Sequence, residues 1–190
     1  QAVITQFGKP VGGPVQQAGL HWKVPFIQDA HFFDNRVLAW DGDPNQIPTK
    51  DKKYIWVDVT ARWRIADPLR FLQSVTNEAG AHGRLDDIVD AATRDHVSDH
   101  VLLELVRNSN RELEFGDIEL MTDTTVVADT ISLGRDVITR KILESSTEQM
   151  SQYGIELLDV RIKRINYVEQ VRQKVYERMI SERRRIAERY

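Results

Sequence analysis

The alternating segment from Tyr54 to Pro68 constrains the fold more than any other stretch of this chain. From Tyr54 to Ile65 the odd positions are apolar, whereas the charged and hydroxyl residues fall at even positions; the apolar set is Ile55, Val57, Val59, Ala61, Trp63 and Ile65. A period of two is typical of a strand with one buried face. A strand of about eleven residues would run ~36 Å, longer than most, so we predict the spine of a sheet with Trp63 in the core.

A helix is predicted directly after this strand. The residue before a proline is pushed to extended geometry, and proline suits the first turn of a helix. Asp67 is therefore predicted to be the N-cap and Pro68 the first helical residue.

Residues 1–66 form a strand-rich block in which three earlier segments also favour strands. These are residues 2–7, 19–27 and 33–40, followed by a turn at residues 41–44 and a short pairing segment at 46–50. In the second segment one face would carry Leu20, Trp22, Val24 and Phe26, and Pro25 indicates an edge or a bulge there.

Helical spacing dominates residues 67–153. A short helix from Pro68 is predicted to end near residues 77–83, and a second is predicted from the apolar residues Leu85, Ile88, Val89, Ala92, Val97, Val101 and Leu105. Asp123 or Thr124 would cap a long third helix, with Gly154 at its C′ position; its apolar residues would be Val127, Ile131, Ile138 and Ile142.

The last part of the chain returns to a strand and then to a helix. Residues 155–165 alternate, with Leu158, Val160 and Ile162 facing one way, and we expect them to rejoin the early sheet. Residues 168–190 then carry a narrow apolar line and a net charge of +3, which favours the start of a long rod or coiled coil; the line consists of Val168, Val171, Val175, Met179 and Ile186. We thus predict an α+β domain over residues 1–167 and a projecting helix over 168–190.

Composition and motifs exclude several function classes. The chain has 190 residues and a net charge of −3, which disfavours a nucleic-acid binder that depends on an overall positive field. It has no cysteine, and it shows no phosphate-binding glycine motif and no nucleophile elbow. His96 and His100 could share a helix face as zinc ligands of a hydrolase, but no Glu follows His96 and no third ligand adjoins them. A solvated polar face is the alternative interpretation.

Trp56 stands apart from the other tryptophans, because it falls with Tyr54 on the polar side of the long alternation. Two interpretations stay open. Its ring covers a helix, or it contacts a partner or a bilayer surface.

Four segments together resemble the SPFH or band 7 domain of stomatins, prohibitins and flotillins. They are GLHWKVPFI at residues 19–27, the WRIADP end of the long strand, GIELLDVRIKRIN at 154–166, and VRQKVYERMISERRRIAERY at 171–190. The last two are most similar to the branch of HflC and HflK, and to HflC within it. The resemblance covers essentially the whole chain. It implies a twisted, mostly antiparallel sheet with packed helices, leading into a C-terminal coiled coil.

The resemblance also implies a cellular role. It places a membrane anchor before Gln1, a domain on the periplasmic side of the bacterial inner membrane, and a coiled coil after Tyr190. It implies alternating HflK-like and HflC-like subunits in a ring around the membrane protease FtsH, with no catalytic residues and no cofactor. A stomatin-like homo-oligomer is the alternative. Because the chain starts without Met and stops within a patterned helix, we expect a fragment of such a protein.

Two sets of interaction residues follow from these expectations. The oligomer interface is predicted on the final helix, at Val171, Val175, Met179 and Ile186. Residues close to the presumed anchor are predicted to face the membrane, because aromatic side chains favour the bilayer interface; these are Trp22, Phe26 and Ile27.

Overall fold

The chain folds into two antiparallel sheets and a layer of helices. The computed structural model describes residues 1–17, 19–109 and 132–187. Its strands are β1 (Ala2–Gln6), β2 (Lys9–Pro10), β3 (Gln28–Phe32), β4 (Leu38–Asp41), β5 (Asn45–Pro48), β6 (Tyr54–Ile65) and β7 (Ile155–Tyr167). Its helices are α1 (Pro68–Ser74), α2 (Glu78–Ser98), α3 (Leu102–Val106), α4 (Arg135–Ser151) and α5 (Glu169–Ala187). The α+β class predicted from the sequence is confirmed.

β6 is the spine of the larger sheet, as predicted. Its first half pairs with β5 and its second half with β4 along one edge, while β7 pairs along the other edge. The odd positions of β6 are buried throughout, and the even positions are exposed or half-buried. The smaller sheet has the order β2-β1-β3.

The core lies between the buried face of β6 and β7 and the helices. Trp63 is fully buried, stacks on Phe71 of α1 at 6.4 Å between ring centroids, and meets His82 of α2 edge-on at 6.1 Å. Asp67 caps α1 as predicted, because its Oδ1 accepts hydrogen bonds from the backbone N–H groups of Leu69 (3.0 Å) and Arg70 (3.2 Å). The join from β6 to α1 is therefore fixed by the stacking of Trp63 on Phe71 and by the Asp67 cap.

The predicted register of β7 is wrong in one half, because one of the two register shifts in its pairing with β6 falls at Leu158; the other falls at Lys163. Arg62 pairs with Asp159, but the next residue, Trp63, pairs with Leu157, so that Leu158 is left over. An extra residue moves the following side chains to the other face. Leu157 is consequently buried and Leu158 exposed, whereas Val160 and Ile162 are buried as expected.

The predicted early strand at residues 19–27 is wrong, and the one at residues 33–40 is correct only in its last three residues. Within residues 19–27 the structure has no strand: Pro25, Phe26 and Ile27 form a turn, and β3 begins only at Gln28. Residues 33–37 are also irregular, because the chain leaves the smaller sheet there and enters the larger one at Leu38. The alternation from Phe33 to Trp40 thus spans a crossing between sheets.

The helix boundaries differ from the predicted ones in the middle of the chain. Asn77, expected near a helix end, instead caps the start of α2, where its Oδ1 accepts from Gly80 N at 2.8 Å. The second predicted helix, whose apolar spacing continues to Leu105, is in fact two helices, since α2 ends at Ser98 and α3 starts at Leu102.

The third predicted helix starts later than expected, at Arg135. The predicted caps Asp123 and Thr124, with Val127 and Ile131, lie outside the described residues. Gly154 is left-handed (φ +74°) as its predicted role requires, although it falls two residues past the C-cap.

Hydrogen bonds join the chain before residue 110 to the chain after residue 131. Arg135 N donates to Arg107 O (3.0 Å), and Asp136 N donates to Asn108 Oδ1 (3.0 Å). The buried carboxylate of Glu104 accepts from Ser132 N at 3.2 Å and from the Ser132 hydroxyl. Burial disfavours this carboxylate, but the hydrogen bonds from Ser132 outweigh burial and hold the pKa of Glu104 below its usual range. We call this set of contacts the α3–α4 clasp.

Candidate functional site

Helix α5 leaves the body of the domain at the end of β7. It runs from Glu169 to Ala187, which at ~1.5 Å per residue is ~28 Å. No other described helix or strand packs extensively against it. Two of its large apolar side chains, Tyr176 and Ile180, lie four residues apart on one helix face and are each more than half exposed.

The predicted oligomer interface belongs to this helix. Val171, Val175, Met179 and Ile186 all fall within α5, but their side chains lie outside the described part of the structure. Tyr176 and Ile180 were not predicted as interface residues. The sequence carries a signal for them, because an i, i+4 apolar pair next to the first apolar line widens the helix face that a neighbour can cover.

The junction of α5 with the sheet contains Trp56. Its side chain is 39% exposed and lines a cavity of about 230 Å³ together with Arg164 of β7 and Arg172 of α5. Arg172 is held in place by an ion pair with Glu169 (2.5 Å). Trp56 therefore lies beside the first turns of α5 and still presents part of its ring to the outside.

A second surface lies at one end of the smaller sheet. The two-residue turn between β1 and β2 and the turn before β3 are adjacent there, because Gln6 pairs with both Lys9 and Gln28. Large apolar side chains project from both turns and from the chain leading to them, and we call these residues the apolar tip: Phe7, Trp22, Phe26 and Ile27. Phe7 is 83% exposed, Trp22 92% and Phe26 106%, so each ring is almost wholly in solvent.

The apolar tip contains the three residues predicted to face the membrane and adds a fourth. Phe7 was predicted only as the end of the first strand. Its sequence neighbours Gly8 and Lys9 indicate a turn, but nothing in a single sequence places that turn beside residues 25–27. The sheet register brings them together.

His96 and His100 are not arranged as the metal-site hypothesis requires. His100 lies beyond the last residue of α2, and its Nδ1 donates to the His96 carbonyl oxygen at 2.6 Å. Burial, followed by the nearby His100, lowers the pKa of His96. Among the residues that the structure describes, no three His, Cys, Asp or Glu side chains converge as a metal site would need.

These features can be compared with known proteins. The model of the SPFH domain / Band 7 family matches residues 1–190, the whole chain. This chain belongs to the SPFH domain / Band 7 family. The family assignment agrees with the two antiparallel sheets and the packed helices described above, and with the resemblance carried by the four sequence segments.

Within the SPFH/Band 7 family, the chain is similar to proteins named HflC. It is 35% identical over 198 residues to Protein HflC of Treponema pallidum and 33% identical over 192 residues to Protein HflC of Borreliella burgdorferi, each match covering 98% of this chain. It is 27% identical over 194 residues to the Modulator of FtsH protease HflC of Escherichia coli K12, which covers 93% of this chain. The chain spans about 60% of the length of these relatives (58–60%).

Among the helices in the described parts of this SPFH/Band 7 chain, none combines the length and the apolar character needed to traverse a bilayer.

Proposed function

We propose that this chain is the SPFH domain of an HflC-like scaffold subunit, which assembles at the bacterial inner membrane and modulates an FtsH-like protease without chemistry of its own. The observation that carries the proposal is the similarity to HflC proteins over nearly the whole chain, one of them named as a modulator of FtsH protease. The structure supports a scaffold role through two exposed apolar surfaces at separate places, the helix α5 and the apolar tip.

Each surface has a distinct part in the proposed scaffold. The apolar tip contacts the bilayer on the periplasmic side, with Trp22, Phe26 and Ile27 at the level of the headgroups. Helix α5 begins a coiled coil that continues after Tyr190 and packs against neighbouring subunits, an HflK-like partner and further copies of this chain.

The α5 part of the proposal is tested by placing a charge in the predicted seam. In the longer, membrane-anchored protein, Val175→Asp and Ile186→Asp are expected to shift large assemblies toward single subunits, because each change puts an unpaired charge into a packed contact. Light scattering after detergent extraction measures the mass. The matched control is Gln173→Asp on an exposed position of the same helix, which should leave the mass unchanged. Assemblies of full mass in both Val175→Asp and Ile186→Asp would show that α5 is only local structure.

Deleting Met179 to Tyr190 separates assembly from domain stability. Since no described element packs extensively on α5, we expect this truncation to leave the melting temperature of the 190-residue chain nearly unchanged, whereas the same deletion in the longer protein should abolish assembly. Thermal denaturation followed by circular dichroism measures the first effect. A large drop in melting temperature would mean that the end of α5 belongs to the core of the domain.

The partners are tested by recovery from native membranes. Affinity purification of the longer protein is expected to bring down an HflK-like subunit and an FtsH-like protease in fixed proportion. Recovery of this chain alone, in large assemblies, would instead favour the stomatin-like or prohibitin-like homo-oligomer.

A further inference from the structure

The two turns of the apolar tip place phenylalanine at left-handed backbone positions, where other residues would fit the fold better. Phe7 and Gly8 both have positive φ (+49° and +78°) in the two-residue turn between Gln6 and Lys9, the combination of a type I′ turn. Such turns favour Asn followed by Gly, and a bulky residue in this region is a genuine outlier. Phe26 in the adjacent turn is also left-handed (φ +68°). Both turns thus hold an exposed phenylalanine in a conformation that phenylalanine rarely adopts, and such outliers concentrate at functional sites.

Hydrogen bonds in the second turn leave its apolar side chains pointing away from the sheet. Gln28 closes the turn, because its N–H donates to Val24 O (3.1 Å) and its side-chain oxygen accepts from Val24 N (2.8 Å). The Gln28 amide nitrogen also donates to the Gln6 side chain (3.4 Å). The hydrogen bonds of Gln28 therefore stabilise the turn, whereas the neighbouring Phe26 contributes almost no buried surface to the domain.

The charged side chains that precede β3 are of one sign, and the first acidic residue is the exposed Asp29 within β3. Residues 1–28 contain Lys9 and Lys23 and not a single Asp or Glu, although the whole chain carries a net charge of −3. Lys9 follows the turn that carries Phe7, and Lys23 lies between Trp22 and the turn that carries Phe26. Lys23 donates one hydrogen bond to Gln28 O (3.3 Å), which leaves further donors on its ammonium group.

We propose that the apolar tip is a binding site for anionic phospholipids, in which Phe7 and Phe26 enter the headgroup region and Lys9 and Lys23 bind lipid phosphates. This inference rests on the membrane contact of the proposed function and names its ligand class and the additional residues. Two neighbouring turn tips are convex and suit a deformable bilayer surface. Aromatic rings flanked by Lys9 and Lys23 complement the apolar and negatively charged character of an anionic membrane interface.

The test is co-sedimentation of the 190-residue chain with vesicles. Vesicles of phosphatidylcholine alone are compared with vesicles that also contain phosphatidylglycerol, in a lipid titration extending to millimolar concentrations. We expect the chain to bind the anionic vesicles more tightly and to lose that preference at high salt, because surface charges are screened.

Phe7→Asn distinguishes a membrane role from a structural one. It is expected to weaken binding to anionic vesicles about tenfold or more, because a large apolar side chain no longer enters the lipid. The same change should raise the melting temperature, since Asn followed by Gly is the favoured type I′ sequence. Opposite effects on stability and binding cannot come from partial unfolding.

The lysines are tested in the double variant Lys9→Gln/Lys23→Gln. Each lysine near an anionic surface contributes about fivefold to binding, so we expect roughly a 25-fold loss for the pair on anionic vesicles and little change on neutral ones. The matched control is Lys52→Gln, an exposed lysine in the turn between β5 and β6 of the other sheet, which should bind like the unmodified chain.

Four outcomes would overturn the proposal. Equal binding to neutral and anionic vesicles would show that the lysines do not bind lipid phosphates. Unchanged binding of Phe7→Asn would show that the Phe7 ring does not enter the lipid. Variants that bind vesicles normally but lose their partners in native membranes would make the tip a protein interface. Absence of vesicle binding by the unmodified chain would overturn both this proposal and the membrane contact of the tip, while scaffold assembly through α5 would still be decided separately by Val175→Asp.

Discussion

Trp63→Ala is expected to lower the free energy of unfolding by about 3–5 kcal/mol, the range for removing a large aromatic side chain from a packed core. Trp63 is fully buried near the C-terminal end of β6, where it stacks on Phe71 and meets His82 edge-on. Its truncation would leave a cavity between the sheet and the first two helices. Urea denaturation followed by circular dichroism measures the loss.

The neighbours of Trp63 in β6 are the controls. Arg62 and Arg64 face the exposed side of the sheet, and Arg64 makes an exposed ion pair with Glu156 (2.7 Å). Exposed pairs of this kind contribute little, so alanine at either position should change stability by less than ~1 kcal/mol. Similar losses at all three positions would contradict the register of β6.

A conservative change at Trp63 refines this expectation. The indole N–H of Trp63 is buried and has no hydrogen-bond partner among the described residues. Phenylalanine would remove this unpaired donor and keep most of the ring packing. Trp63→Phe should therefore be clearly less destabilising than Trp63→Ala in the same urea experiment.

Gly154→Ala is expected to destabilise the domain by roughly 2–4 kcal/mol, because it combines a left-handed backbone with a collision. Gly154 has φ +74°, and a Cβ atom there would lie 2.4 Å from the carbonyl oxygen of Asp67 and 3.0 Å from the backbone nitrogen of Phe71. Its own carbonyl oxygen accepts from Ala66 N (2.9 Å) and Asp67 N (3.1 Å). The substitution would push the connection between α4 and β7 away from the connection between β6 and α1.

Gly83→Ala is the matched control for the glycine prediction. Gly83 lies inside α2, and no atom lies within 4 Å of the position that its Cβ would take. Alanine has the higher helix propensity, so this change should stabilise the domain by up to about 1 kcal/mol. The same substitution is thus expected to have opposite signs at the two sites, and equal destabilisation would contradict the close approach at Gly154.

The central strand could be predicted from the sequence because all the apolar residues of its alternation face the same helical layer. β6 is buried at each odd position, and its end is marked by Asp67 and Pro68. β7 could be predicted as a strand but not in register. Its adjacent leucines, Leu157 and Leu158, fit either face, and only pairing with β6 shows which one becomes the bulge.

The candidate surfaces were predictable only in part. Alternation at residues 19–27 indicates a set of apolar side chains but does not reveal what buries them, and in this domain Trp22 and Phe26 are exposed. Phe7 joins them through the pairing of β1 with β3, a contact between residues more than twenty positions apart. The final helix was predictable because its polar and apolar residues repeat at helical spacing, and its narrow apolar line predicted a projecting helix.

The α3–α4 clasp has a consequence for how helix α4 begins. Its N-cap residue is Gly134, which has no side chain to accept a hydrogen bond from the first turn. The side-chain oxygen of Asn108 accepts instead from Asp136 N (3.0 Å), in the way that an Asn at the N-cap would. The start of α4 is therefore capped by a residue that lies 28 positions earlier in the chain, so this helix end depends on a tertiary contact.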